Sequence, residues 1–93
     1  MKPGMKEPYL EVTYRHGRPI AGYLYLPRQG REKSARTERL ATGLLVDFDA
    51  AGRPIGVEIL TPSDVSAEAI NELIEKLGLN RIPAADLAPL RAA

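Results

Sequence analysis

The chain has no cysteine and no tryptophan, a single phenylalanine and a single histidine, and no long apolar run. Without cysteine, disulfides, thiolate metal sites and thiol nucleophiles are all excluded, a composition that suits a reducing compartment. A lone imidazole with no thiolate or second imidazole is a poor start for a transition-metal site. His16, between Arg15 and Gly17 where a turn is expected, reads as a solvated turn residue. No segment approaches the roughly 18 apolar residues of a membrane span. The opening MKPGMKEPYLEV has basic residues but no apolar stretch behind them, as a signal peptide would need. The expectation is a cytoplasmic protein with no membrane association. The glycines of AAGRPIG follow neither the dinucleotide-binding nor the Walker spacing, and Ser34, Ser63 and Ser66 sit in loop or capping contexts without a nucleophile-elbow pattern. No catalytic residue and no cofactor is indicated, and the chain reads as a non-enzyme.

What is present is 93 residues with 44% hydrophobic content, enough for one domain with one core, residues 1–93, that buries about two-thirds of its unfolded surface. The net charge of +1 conceals an asymmetry. Residues 1–42 hold nine Lys/Arg and four Asp/Glu, 9 − 4 = +5, whereas residues 43–93 hold four and eight, 4 − 8 = −4. A basic half can mark a nucleic-acid face, but a pI of 8.1 is below the value above 9 usual for such domains.

The elements read as an antiparallel β-meander of four to five strands over residues 9–60, followed by a helical segment over 61–93. Tyr9–Arg15, YLEVTYR, is β-branched and aromatic, and HGR with Pro19 signals a turn into a second strand, PIAGYLYLP. On that strand Ile20, Gly22, Leu24 and Leu26 share one face, and Ala21, Tyr23 and Tyr25 the other. In RQGREKSARTERLATG the first part reads as loop and Ala35–Leu40 as a weak edge strand, whose cations would discourage edge pairing. LLVDFD and RPIGVEIL then form a hairpin about Ala50-Ala51-Gly52, with the glycine free to take a positive φ. Two registers compete. A four-residue connection sets Phe48 opposite Ile55, Asp47 opposite Gly56 and Leu45 opposite Glu58, whereas a three-residue loop with a glycine bulge shifts the pairing.

After Leu60 the period changes. Ile70, Leu73, Ile74 and Leu77 form one apolar stripe on a helix from about Ala67 to Leu77. Ser66 is placed as N-cap, Val65 and Ile70 as a hydrophobic staple, and Gly78 and Leu79 as a Schellman ending. Pro83 opens a short second helix that Pro89 limits, with Leu87 and Leu90 able to pin it. The fold class is α+β, with the amphipathic helix packed on one face of the sheet.

Asp47, Asp49 and Glu58 are the closest approach to a chemical site. Two strands offer only three widely spaced oxygen donors, too few for calcium, and paired-carboxylate acid–base work needs a cleft that the sequence does not suggest. Asp49 suits the first position of a turn, where it accepts hydrogen bonds from loop amides. The three acids would share the face opposite Phe48 and Ile55. No metal site is expected. The binding candidates are Tyr23 and Tyr25 with Arg28, Arg31, Arg36 and Arg39. Tyrosine and arginine are enriched at protein–protein hot spots, and the same pairing can stack bases and neutralise phosphates. A protein partner is the first reading and a nucleic acid using the basic 28–39 segment the second.

The segment GYLYLPRQGREKSARTERLATGLLVDFDAAGRPIGVEILTPS resembles the small bacterial family catalogued as domain of unknown function 2283. The family pattern is an apolar LY-I-L strand, here Tyr23–Leu26, a short strand bearing arginine and glutamate, here Arg36–Leu40, and a G-LVD-D--G---GIEIL hairpin. The hairpin is matched by Gly43, Asp47, Asp49, Gly52, Gly56, Val57, Glu58, Ile59 and Leu60. The chain departs at RHGRPIAG, where members have an acidic lead, so no role of those acids carries over. The resemblance implies a bacterial cytoplasmic protein, a compact antiparallel sheet with a helical addition, and no established enzyme activity. Some members resemble the smaller, antitoxin-like component of two-component pairs. Such a sheet can bind another small protein, or itself as a homodimer, by strand addition or isologous contact.

Overall fold

The computed structural model of the chain describes residues 7–27 and 33–91. β1 (Tyr9–Arg15) and β2 (Arg18–Tyr25) form a hairpin through His16 and Gly17, whose φ angles are 53° and 78°. Two successive left-handed residues give the turn whose twist matches that of the flanking strands. Glycine takes that conformation readily, histidine uncommonly. The pairing shifts between Thr13 and Tyr14, and the bulge takes Ile20 out of the inward set. Ile20 is 43% exposed, while Leu24 and Leu26 are each 1% exposed. The expected alternation of β2 therefore holds from Ala21 onward and fails at Ile20, because an extra residue in one strand reverses which side its neighbours face.

β3 (Arg36–Ala41), β4 (Leu44–Phe48) and β5 (Pro54–Ile59) complete one five-stranded antiparallel sheet in the order β1-β2-β5-β4-β3. The meander runs within two blocks, β1–β2 and β3–β4–β5, and β5 closes the sheet against β2 with Gly22 opposite Ile59 and Leu24 opposite Val57. This order places the buried strands β2, β5 and β4 at the centre. The charged β3, RTERLA, lies at an edge, where exposed cations and carboxylates discourage pairing with another chain.

The β4–β5 hairpin contains both registers weighed above. Leu44–Asp47 pair with Ile59–Gly56 in sequence, so Leu45 faces Glu58 and Asp47 faces Gly56. Nearer the turn, Phe48 faces Pro54 rather than Ile55. The loop is three residues, Ala50–Gly52, closed by Asp49 N donating to Arg53 O at 2.9 Å and Gly52 N to Asp49 O at 2.9 Å, with Gly52 at φ 85°. A three-residue loop and the upstream register are compatible only if one residue is extra, and the shift between Asp47 and Phe48 absorbs it.

The helical layer follows from its end signals. α1 (Ala67–Lys76) starts where the Ser66 hydroxyl accepts a 3.0 Å hydrogen bond from Ala69 N. It ends with Gly78 at φ 82°, Gly78 N donating to Glu75 O at 2.9 Å and Leu79 N to Ile74 O at 3.1 Å, the paired bonds of a Schellman ending. α2 (Ala84–Leu87) runs into a 3₁₀ turn, Ala88–Arg91, and both Leu87 and Leu90 are buried. Ile70, Leu73 and Ile74 join Leu24, Leu44, Val46, Val57 and Ile59 in one core. Each large apolar side chain buried there contributes about 1.5–3 kcal/mol. Gly22 lets the last turn approach, since a Cβ at that position would stand 2.8 Å from Leu90 Cδ2.

Polar ties fix the layer, among them a 3.0 Å hydrogen bond from the Tyr14 hydroxyl of β1 to Pro89 O. Buried Asn71 donates from Nδ2 to Ile82 O at 3.0 Å and accepts from Ile82 N at 2.6 Å. Arg91 donates to the carbonyls of Pro62 and Val65. Arg81 bridges Glu68 at 2.8 Å and Glu75 at 3.2 Å, and the hydrogen bond it donates to Glu68, with the negative charge of both acids, pushes its pKa up. Among the described residues, no helix is long and apolar enough to cross a membrane.

Candidate interaction face

Because side chains alternate along a strand, the residues between the core-facing ones project from the other side of the sheet. The registers order them into two cross-strand rows. The first runs Glu11, Tyr23, Glu58, Leu45, Arg39 from β1 to β3, and the second Tyr9, Tyr25, Gly56, Asp47, Thr37. The helices contribute to the core on the opposite side, and among the described residues no element covers these rows.

Tyr23 lies across Gly56 of β5, where a Cβ would coincide with the phenol ring and hydroxyl. An aromatic from a neighbouring strand thus covers the backbone that glycine leaves bare. Its hydroxyl continues to β4 and donates to Asp47 Oδ2 at 2.6 Å, while Asp47 Oδ1 accepts from the Thr37 hydroxyl of β3. Tyr25 donates to Glu11 Oε1 of β1 at 3.0 Å. A line of side-chain hydrogen bonds therefore ties the strands together above the backbone ladder. The Tyr23 and Tyr25 rings meet edge to face at 4.8 Å, and Tyr9 and Tyr25 at 5.7 Å, spacings at which aromatic pairs attract. Tyr9 is 54% exposed, and Tyr23 and Tyr25 are half-buried.

Of the six residues singled out in the sequence, the four that are described divide between the two sides of the sheet. Tyr23 and Tyr25 are adjacent on the open face. Arg39 shares that face at the far end of the first row. Arg36 pairs with Phe48 across β3–β4 and so points to the core side. Its guanidinium sits 4.3 Å from the Phe48 ring centroid and donates to Glu38, so its charge is already engaged. Arg28 and Arg31 lie outside the described residues. The run of arginines gave no sign of this split, because a two-residue period sorts neighbours onto opposite faces only once strand bounds and bulges are known.

The three acids have separate surroundings. Asp47 is the acceptor in the tyrosine line. Asp49, 6% exposed, folds into its loop and accepts from Ala51 N and Arg53 N, each at 2.9 Å, with Arg53 Nε 3.5 Å away. This is the turn role its position predicts, but it takes Asp49 off the face shared by Asp47 and Glu58. Glu58 stands between Tyr23 and Leu45. Among the described residues, no group of three or more His, Asp or Glu is placed to hold a metal ion. A cavity of about 330 Å³ opens between the β1–β2 end and the α1–α2 connection. Its floor, Leu24, Leu26, Ile74 and Ile82, is at 4% exposure or less, so it is a dimple over the core.

Sequence reasoning missed Tyr9, Glu11, Thr37 and Gly56 as members of the face. Only Gly56 carried a local signal, since a glycine inside a strand marks a close approach. The others are recognisable only from cross-strand register.

Fold and face together define a two-layer α+β domain with one sheet face that no element covers among the described residues. Residues 21–63, a little under half of the chain, match the family described as "Protein of unknown function (DUF2283)", and over that segment the chain resembles this family. The matched segment holds the whole tyrosine–aspartate line from Tyr23 to Gly56 and excludes α1. No curated protein and no solved structure matches the chain.

Proposed function

We propose that the chain is a non-enzymatic interaction module that binds another small protein through the open, tyrosine-bearing face of its sheet. The observation that carries this reading is the cluster in which Tyr25 meets both Tyr9 and Tyr23 on a face that no described element covers. Rigid aromatics with a polar tip give large contact area at low entropic cost, which is why they recur at the centres of interfaces. An antitoxin-like place in a two-component pair is the finer form of the reading, and its support is the family resemblance.

The nucleic-acid alternative draws less support. The described face presents Glu11, Asp47 and Glu58 against Arg39 alone, and carboxylates repel phosphates. Arg36, which would contribute to a basic stripe, is on the other side with its own partners. The test is affinity capture with the full chain and two variants. Tyr25→Ala abolishes capture of a discrete partner, and Arg36→Glu leaves it intact. Capture retained in Tyr25→Ala contradicts the face, and affinity that falls steeply with the logarithm of salt concentration returns the account to phosphate contacts.

A further inference from the structure

We propose that the occupant of the open face is a second copy of the chain, related to the first by a twofold axis running parallel to the strands. This rests on the reading that the open face is the interaction surface and adds the identity of the partner.

The argument is the order of charges in the first row. One end is carboxylate, tyrosine, carboxylate, namely Glu11, Tyr23 and Glu58. The other end is the cation Arg39, with Leu45 between. Neither Arg39 nor Glu58 makes an ion pair among the described residues. Arg39 is separated from Glu58 by the whole of β4, which places them two strand spacings apart, roughly 10 Å at the backbone. The row is thus electrically two-ended, and its two ends complement each other without meeting.

A twofold axis parallel to the strands keeps each residue at its height along the strand and reverses the order of strands. With the axis between β4 and β5, Arg39 of each copy lies over the backbone position of Tyr23 in the other, with Glu11 and Glu58 on either side. In the second row Thr37 comes over Tyr25, and Asp47 over the Tyr23 ring that covers Gly56; no like charges are superposed, and Glu58 and Asp47 each stand one strand spacing to the side of their own symmetry mates. Sheets packed face to face are about 10 Å apart, a gap an arginine side chain enters from one side. A guanidinium between two carboxylates makes charge-assisted hydrogen bonds to both. The symmetry makes the contact twice, as an isologous interface requires.

The experiment is sedimentation analysis of the full chain and of two charge variants, Arg39→Glu and Glu58→Arg, with circular dichroism to confirm folding. Wild type sediments as a dimer of the 10.2 kDa chain. Either variant alone weakens self-association at least about tenfold, because each sets like charges against each other at both symmetric contacts. An equimolar mixture of the two restores the dimer, since each copy then supplies the charge the other has lost. If Glu58→Arg does not fold, Glu11→Arg replaces it in the mixture. A wild type that stays monomeric at roughly millimolar concentration, an Arg39→Glu variant that dimerises normally, or a mixture that does not recover overturns the inference. A monomeric wild type that still captures a Tyr25-dependent partner overturns the dimer and leaves the proposed function standing. A monomer that captures nothing overturns both.

Discussion

Asp49 is a buried carboxylate whose neighbours are the amides of its own loop. Ala51 N and Arg53 N both reach Oδ1, and the carboxylate is all but closed to water. Removing the acceptor leaves two amide donors to be satisfied by solvent in a partly buried turn. Asp49→Ala is expected to destabilise the fold by about 1–3 kcal/mol. Asp49→Asn, which keeps an oxygen where Oδ1 stands, loses only the charge and the Arg53 contact, and costs less than about 1 kcal/mol. Urea denaturation of the three proteins checks the order, and equal losses in both variants contradict the loop role. The acceptor role of Asp49 was legible in the sequence, because an aspartate at the first position of a turn takes hydrogen bonds from the amides that follow it; the loop length was not, since three- and four-residue connections both fitted the pattern. The roles of Ser66, Gly78 and Leu79 were legible in the same way as that of Asp49. Each acts through backbone groups within a few residues, and the hydrogen bonds found are the ones their spacing implies.

Between elements the legibility declines, and the reason is register. Nothing within YLYLP states that its strand pairs with VEIL rather than with RTERLA, and nothing within ARTERLA states that Arg36 faces the core while Arg39 faces outward. The bulges at Thr13/Tyr14, Arg39/Ala41 and Asp47/Phe48 each reset the alternation, and a residue's face depends on counting through them. Asn71 was invisible for a related reason, since its partner is the backbone of Ile82, eleven residues on and across the Schellman turn. The coupling of Tyr23 to Gly56 is the interaction between strands most open to test. Gly56→Ala places a methyl group where the phenol lies, forces the ring off Asp47, and is expected to cost about 1–3 kcal/mol. In a Tyr23→Ala background that obstruction is gone. The same substitution is then neutral or stabilising, because alanine is less flexible than glycine in the unfolded chain. A double-mutant cycle by thermal denaturation returns a coupling of at least about 1 kcal/mol, and additive losses contradict the packing described.

For the molecule as a whole, the division of labour follows from a sheet with two unlike sides. One side meets a helix specified at both ends and forms the only large apolar core among the described residues. The other carries the tyrosines, carboxylates and one arginine of the open rows, of which Tyr23, Tyr25, Glu11, Asp47 and Thr37 are held in place by hydrogen bonds that cross the strands. That rigidity is useful to an interface, because side chains already fixed lose little freedom on binding. The acids that first suggested chemistry are accounted for by these two sides and by one turn.

The central claim is that the chain self-associates through the tyrosine face, and a series of ¹H–¹⁵N correlation spectra recorded across a dilution of the full chain tests it most directly. The account predicts concentration-dependent shifts at the amides of Tyr9, Glu11, Tyr23, Tyr25, Leu45, Glu58 and Arg39, with α1 and the Ser66 cap unmoved. Shifts confined to α1 and α2, or a spectrum unchanged over the whole series, would contradict it.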